Sequence, residues 1–127
     1  MLYMFLLYSE PGIEWPSDII DRHLAVWREA RERGAYVHSE ALGADRTTAH
    51  TVRVRGGNVL TTDGPFAETK EILGGYYVLD CRDLEDALAW AAKIPDARHG
   101  SVEVRPVLQV PDWPYDETPA RRRHPMG

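Results

Sequence analysis

One cysteine, Cys81, is the whole thiol inventory of the chain, so no intrachain disulfide can form. With that single thiol and no His-x-x-x-His spacing among five histidines, no structural metal centre is expected. Positive charge is also scarce. Fifteen Lys and Arg stand against twenty Asp and Glu, a net charge of -5. That is the wrong sign for a nucleic-acid face and gives no support to binding an anionic membrane. The basic run Arg121-Arg122-Arg123 lies in a proline-rich terminus and reads as solvated. Long apolar runs are missing too: the opening segment from Met1 to Tyr8 is too short to span a bilayer and has no positive n-region. The chain has no glycine-rich phosphate loop, no dinucleotide-binding fingerprint and no Ser/His/Asp order of note. The expectation is therefore no cofactor, no nucleic-acid partner and no membrane partner, with the lone thiol suiting a reducing cytoplasm.

What is there fits one globular domain. The length is 127 residues, with 43% hydrophobic and 28% charged residues. Leu2 to Tyr8 is apolar on both alternate faces and reads as a buried strand ended by Ser9-Glu10-Pro11-Gly12. A helix is predicted from about Asp18 to Arg33, with Ser17 as candidate cap and Gly34 as stop; its apolar stripe is Ile20, Leu24, Trp27 and Ala30. A strand follows near Tyr36 to Leu42. Thr51–Arg55 and Val59–Thr62, joined through Gly56-Gly57-Asn58, read as a hairpin. Gly75 to Cys81 is a strand, and Cys81 at its end reads as a buried, inert thiol. Asp83 caps a second helix with stripe Leu84, Ala87, Leu88, Ala91 and Ile94, closed by Pro95. Ser101 to Val110 is the last strand, and Pro106 within it marks an edge or a bulge.

Strand, helix, strand, hairpin, strand, helix, strand is two βαβ units in tandem. The fold class is α+β: a ferredoxin-like βαββαβ sheet with an extra β-hairpin and both helices on one face. The first strand and Gly75–Cys81 are apolar on both sides, and two helices cannot cover both faces. A second copy packed sheet to sheet resolves this, giving a homodimer built as a dimeric α+β barrel. The domain is placed at residues 1–110 and a proline-rich tail at 111–127.

The run Asp63-Gly64-Pro65-Phe66-Ala67-Glu68-Thr69-Lys70-Glu71 breaks both regular periods, groups several chemical types, and precedes Gly74-Gly75. Such loops on rigid scaffolds often carry function. The run resembles the signature of the DGPF-domain branch of the YciI-related (YCII) family. Met1–Tyr8, Thr51-Val52-Arg53-Val54, Ala89-Trp90-Ala91-Ala92 and the segment from Arg98 to Val107 resemble further parts of that family over roughly residues 1 to 110. The resemblance implies a dimeric ferredoxin-like barrel. It also implies kinship with small lyases and isomerases in which a histidine of the first helix and a nearby acid form the catalytic pair. His23 matches that histidine by position, and Asp63 is the acid chosen from the signature.

Each candidate has a plainer reading beside it. His23 is a general base in a cleft, or a core histidine bonded to backbone. Asp63 orients His23, or simply closes a turn. Phe66 walls a pocket or plugs the core. Lys70 and Glu71 flank an anionic ligand or are solvated. Tyr77, with Tyr3, Phe66 or Tyr76, would line the barrel interior. His99, opening the last family-like segment, is a further ligand contact or an exposed loop residue. The functions that follow are a cofactor-independent lyase or isomerase acting on an unknown small molecule, a non-catalytic sensor or accessory protein of a transcriptional or stress system, and a cofactor-free monooxygenase.

Overall fold

A computed structural model describes residues 1–43, 48–64 and 71–115. In chain order the elements are β1 (Leu2–Ser9), α1 (Ile19–Glu32), β2 (Tyr36–Ala41), β3 (His50–Arg55), β4 (Asn58–Asp63), β5 (Ile72–Asp80), α2 (Leu84–Lys93), α3 (Asp96–His99) and β6 (Gly100–Pro106). One antiparallel sheet has the order β2-β5-β1-β6, and β3 with β4 forms a separate two-stranded ribbon. Taken without the ribbon, this is the ferredoxin-like order expected of the α+β reading. The turn of the ribbon is Gly56-Gly57, at φ 56° and 80°, the left-handed pair that a tight hairpin asks for and that glycine meets without steric cost.

Register decides which side chain faces what. Met4 lies opposite Val78 on β5 and Arg105 on β6; Phe5 lies opposite Tyr77 and Val104. Side chains alternate across a strand. Tyr3, Phe5, Leu7, Tyr77, Leu79 and Val104 therefore join the helix-covered core, where Val26, Ala30, Ala87, Trp90 and Ile94 meet them. Leu2 and Val78, with Met4, Val37, Tyr76 and Val107 against them, form a smaller cluster on the opposite face. Both faces of β1 and β5 are thus apolar, as the composition of these strands requires. Pro106, at the end of β6, sits on the sheet's edge strand, where its missing N–H costs no ladder bond.

Each helix buries part of the stripe read in the sequence, Ala30 in α1 and Ala87, Ala91 and Ile94 in and just after α2, and turns the rest outward. In α1 the buried residues are Val26 and Ala30, while Ile20 is 69% exposed and Leu24 and Trp27 are partly open. The inward row is His23, Val26 and Ala30, because His23 finds polar partners inside, as described below. Ser17 does not cap α1. Asp18 occupies the cap position but makes no cap bond, its carboxylate lying 3.0 Å from Arg22 one turn on. In α2 Leu84 and Leu88 are exposed and Trp90 is the buried anchor, with the Arg33 and Lys93 cations each 4.8 Å from its ring. The Asp83 cap is as expected: its carboxylate accepts from the Asp86 N–H at 2.8 Å.

Candidate functional site

His23 is brought inward by the first turns of α1, near the end of the helix that faces β5. Its Nδ1 lies 2.7 Å from the Tyr77 hydroxyl, and the two rings are nearly parallel with centroids 5.9 Å apart. On the other side of the ring, Nε2 lies 2.9 Å from Oδ1 of Asp96. The approach is within ion-pair range, and Oδ1 has no other hydrogen-bond partner among the described residues. The His23 side chain keeps 26% of its surface, against 11% for Asp96, so the imidazole is the part of this array that a small molecule can reach.

Chemistry fixes the roles in this array. Burial first, then the charge of Asp96 and the neighbouring Tyr36, push the Tyr77 phenol far above its ordinary range. Tyr77 therefore keeps its proton and can donate it to Nδ1 whenever that nitrogen is bare. A ring proton on Nε2 would then face the Asp96 carboxylate. One imidazole thus carries an acceptor nitrogen toward a phenol and a donor nitrogen toward an acid. Such an arrangement can take a proton at Nδ1 and balance the new charge at Nε2.

Asp96 stands on α3, a single turn between Pro95 and Gly100 that the sequence does not announce. Pro95 both closes α2 and opens α3, and the Arg98 N–H bonds back to the Pro95 carbonyl. His99 follows Asp96 on the same turn. Its Nε2 is buried without a hydrogen-bond partner among the described residues, and its ring meets Trp15 edge-on at 5.6 Å. Buried polar atoms without partners cost roughly 1–3 kcal/mol each and cluster where a protein is built to meet a ligand or water. What holds α3 in place is Gly100: a Cβ there would lie 2.0 Å from the Tyr8 carbonyl oxygen and 2.9 Å from the Ser9 Cα.

The other candidates fall elsewhere. Asp63 ends β4 and its carboxylate meets Nδ1 of His50 at 3.1 Å, with 90% of the side chain exposed. The structure does not bring Asp63 to His23; the acid beside His23 is Asp96. Glu71 accepts a hydrogen bond from the Ser101 hydroxyl, beside Tyr8 and Glu103. Phe66 and Lys70 lie outside the described residues. Tyr3 and Tyr77 project from the helix-covered face and Tyr76 from the other, so these tyrosines do not line one pocket. Tyr77 and His23 likewise meet under the helices, and not on the open face of the sheet. Cys81 is buried, its thiol pushed up to about 12 by burial first and then by the Asp86 and Asp80 charges.

Among the described residues no helix is long and apolar enough to cross a membrane. Comparison with known proteins agrees with the resemblance at the level of the family. The model of the YCII-related domain matches residues 1–111. An uncharacterised protein of Rhizobium meliloti (strain 1021) is 35% identical over 116 residues, an alignment covering 84% of this chain and 92% of the relative.

Proposed function

The chain belongs to the YCII-related family, and on that footing we propose that it is a small-molecule enzyme, a cofactor-independent lyase or isomerase with His23 as general base. The observation that carries this reading is the Asp96–His23–Tyr77 array, with Nε2 2.9 Å from the carboxylate and Nδ1 2.7 Å from the phenol. The Tyr77 hydroxyl takes the substrate proton as it passes its own to Nδ1 of His23, and the resulting imidazolium is balanced by Asp96. Return of that proton to a different substrate atom gives an isomerisation; loss of a neighbouring leaving group from the carbanion gives an elimination. His99, one turn beyond Asp96 with its unpartnered Nε2, is placed to hold a polar group of the substrate. Within the family we assign the chain to the branch that carries Asp63-Gly64-Pro65-Phe66, and we place it in the cytoplasm.

Assembly belongs to the same reading. Leu2, Met4, Tyr76 and Val78 make an apolar cluster on the sheet face that no helix covers. We propose that a second copy packs there to complete a two-fold barrel. Leu6→Glu, which places a charge on that face opposite Tyr76, should turn the dimer into a folded monomer in sedimentation; a variant that stays dimeric would put the interface elsewhere.

The test of function is a metabolite screen by thermal shift, since a ligand of the folded state raises its apparent stability. Turnover of the ligand found is then measured in His23→Gln, Tyr77→Phe and Asp96→Asn. Removing the base should slow turnover by about 10²–10⁴-fold while binding and dimerisation persist. Full activity in His23→Gln would remove His23 as the base. A ligand that wild type binds and never converts would favour the sensor reading.

A further inference from the structure

A cleft of about 520 Å³ runs between α1 and the α2–α3 junction, on the side of α1 next to the His23 row. Three cations rim it: Arg22 of α1, Lys93 of α2 and Arg98 of α3. Its floor is small and apolar, from Ala25, Ala92 and Pro95. For a chain of net charge -5 this is a local reversal of sign. One carboxylate, Glu29, shares the lining, and it is already engaged twice, by Lys93 and by Arg33 at 3.1 Å. The hydrogen bond from Lys93 is the largest influence and holds the Glu29 carboxyl below its usual range; burial opposes it, and the Arg33 hydrogen bond adds to the lowering. Arg22 is paired with Asp18 at 3.0 Å. Arg98 makes no ion pair or hydrogen bond with its guanidinium among the described residues, and it projects into the cleft beside Pro95.

We infer that this cleft is a binding site for a small organic acid, a carboxylate carried on a flat apolar body. The size suits a small molecule. Arg98 offers a planar fork that matches a carboxylate, and Arg22 lines the same cleft as a second cation. The floor offers methyl and pyrrolidine groups with no polar side chain, and Pro95 has no N–H to give, so the body of the ligand must be apolar. Inorganic phosphate, which needs donors all round, is poorly served by the same lining. The site is separate from the proton-transfer array, although it is built from the same segments: Arg22 adjoins His23, Pro95 adjoins Asp96, and Arg98 adjoins His99.

The experiment titrates benzoate, and in parallel inorganic phosphate, into the ¹⁵N-labelled full chain at constant ionic strength. Benzoate should give saturable shifts at the amides of Ala25, Ala92, Lys93 and Arg98. Arg98→Gln should weaken that binding at least about tenfold, the loss of one charge-assisted pair. Arg105→Gln, on the edge strand β6, should leave it unchanged. Equal shifts with phosphate would reduce the cleft to a diffuse positive field and overturn the assignment. So would shifts that never saturate, unaltered binding in Arg98→Gln, or shifts centred on Tyr77 and His99, which would make benzoate a ligand of the other site.

Discussion

Gly100→Ala should be the most damaging small substitution in the protein, and the structure sets its size. The new Cβ would sit 2.0 Å from the Tyr8 carbonyl oxygen and 2.9 Å from the Ser9 Cα, both backbone atoms that cannot rotate away. Reaching even 3.0 Å means prising β6 and α3 off β1 across a pair that is in register at Ser9 and Gly100. Overpacking of this kind costs about 1–3 kcal/mol, which for a domain of this length lowers the melting temperature by roughly 4–10 °C. Two other glycines of the same sheet calibrate it. At Gly75 a Cβ would meet the Glu40 carbonyl at 2.9 Å, and at Gly74 nothing lies closer than 4.0 Å. Thermal and urea unfolding of the three alanine variants should therefore rank Gly74→Ala mildest, Gly75→Ala intermediate and Gly100→Ala worst. Because α3 carries Asp96, Gly100→Ala should also disturb the His23 ring signals. A Gly100→Ala protein as stable as wild type would refute the placement of α3 against β1, and with it the acid beside His23.

Two further outcomes follow from charge and burial. The Asp86 carboxyl is lowered chiefly by the Arg82 backbone N–H, so its contribution to stability is present above the ordinary carboxylate range and is lost as pH falls through its folded value. Asp86→Asn should lose about 1–3 kcal/mol near neutrality and show a flatter acid limb in pH-dependent unfolding; an unchanged acid limb would show that Asp86 is not coupled to folding. The Cys81 thiol, pushed up to about 12, should react with an aromatic disulfide reagent only as fast as the protein opens. Labelling of the native protein at the rate of a free small thiol would contradict its burial.

The sheet was legible in the sequence because β1 and β5 are apolar at almost every position, a pattern with few other outcomes for strands of eight and nine residues. The ribbon was legible from Gly56-Gly57, and the α2 start from Asp83. The helix faces were legible only in part: Ala87, Ala91 and Ile94 are buried as read, while Leu84 and Leu88 are exposed. Ile20, Leu24 and Trp27 share a helical spacing as regular as that of His23, Val26 and Ala30, and hydrophobicity alone prefers the first row. The second row is inside because Tyr77 and Asp96, both distant in sequence, satisfy His23 there. Asp96 went unread for the same reason. Its value lies in a contact across the fold, and the single turn that carries it has no period of its own. Asp63 attracted attention through a conspicuous loop, yet its carboxylate pairs with His50 in solvent. Tyr77 lies across the ring of His23, and His99 follows Asp96 by one turn with its ring against Trp15.

The ring of His23 itself offers the most direct test. In the proton-transfer array the neutral ring carries its proton on Nε2, facing Asp96, and Nδ1 accepts from the Tyr77 hydroxyl. Side-chain ¹⁵N NMR reads the two nitrogens separately. The expected spectrum has a protonated Nε2 and a bare, hydrogen-bonded Nδ1, with Tyr77→Phe moving the Nδ1 signal and Asp96→Asn shifting the tautomer balance. A ring protonated on Nδ1, or one whose signals ignore both substitutions, would contradict the proton-transfer array.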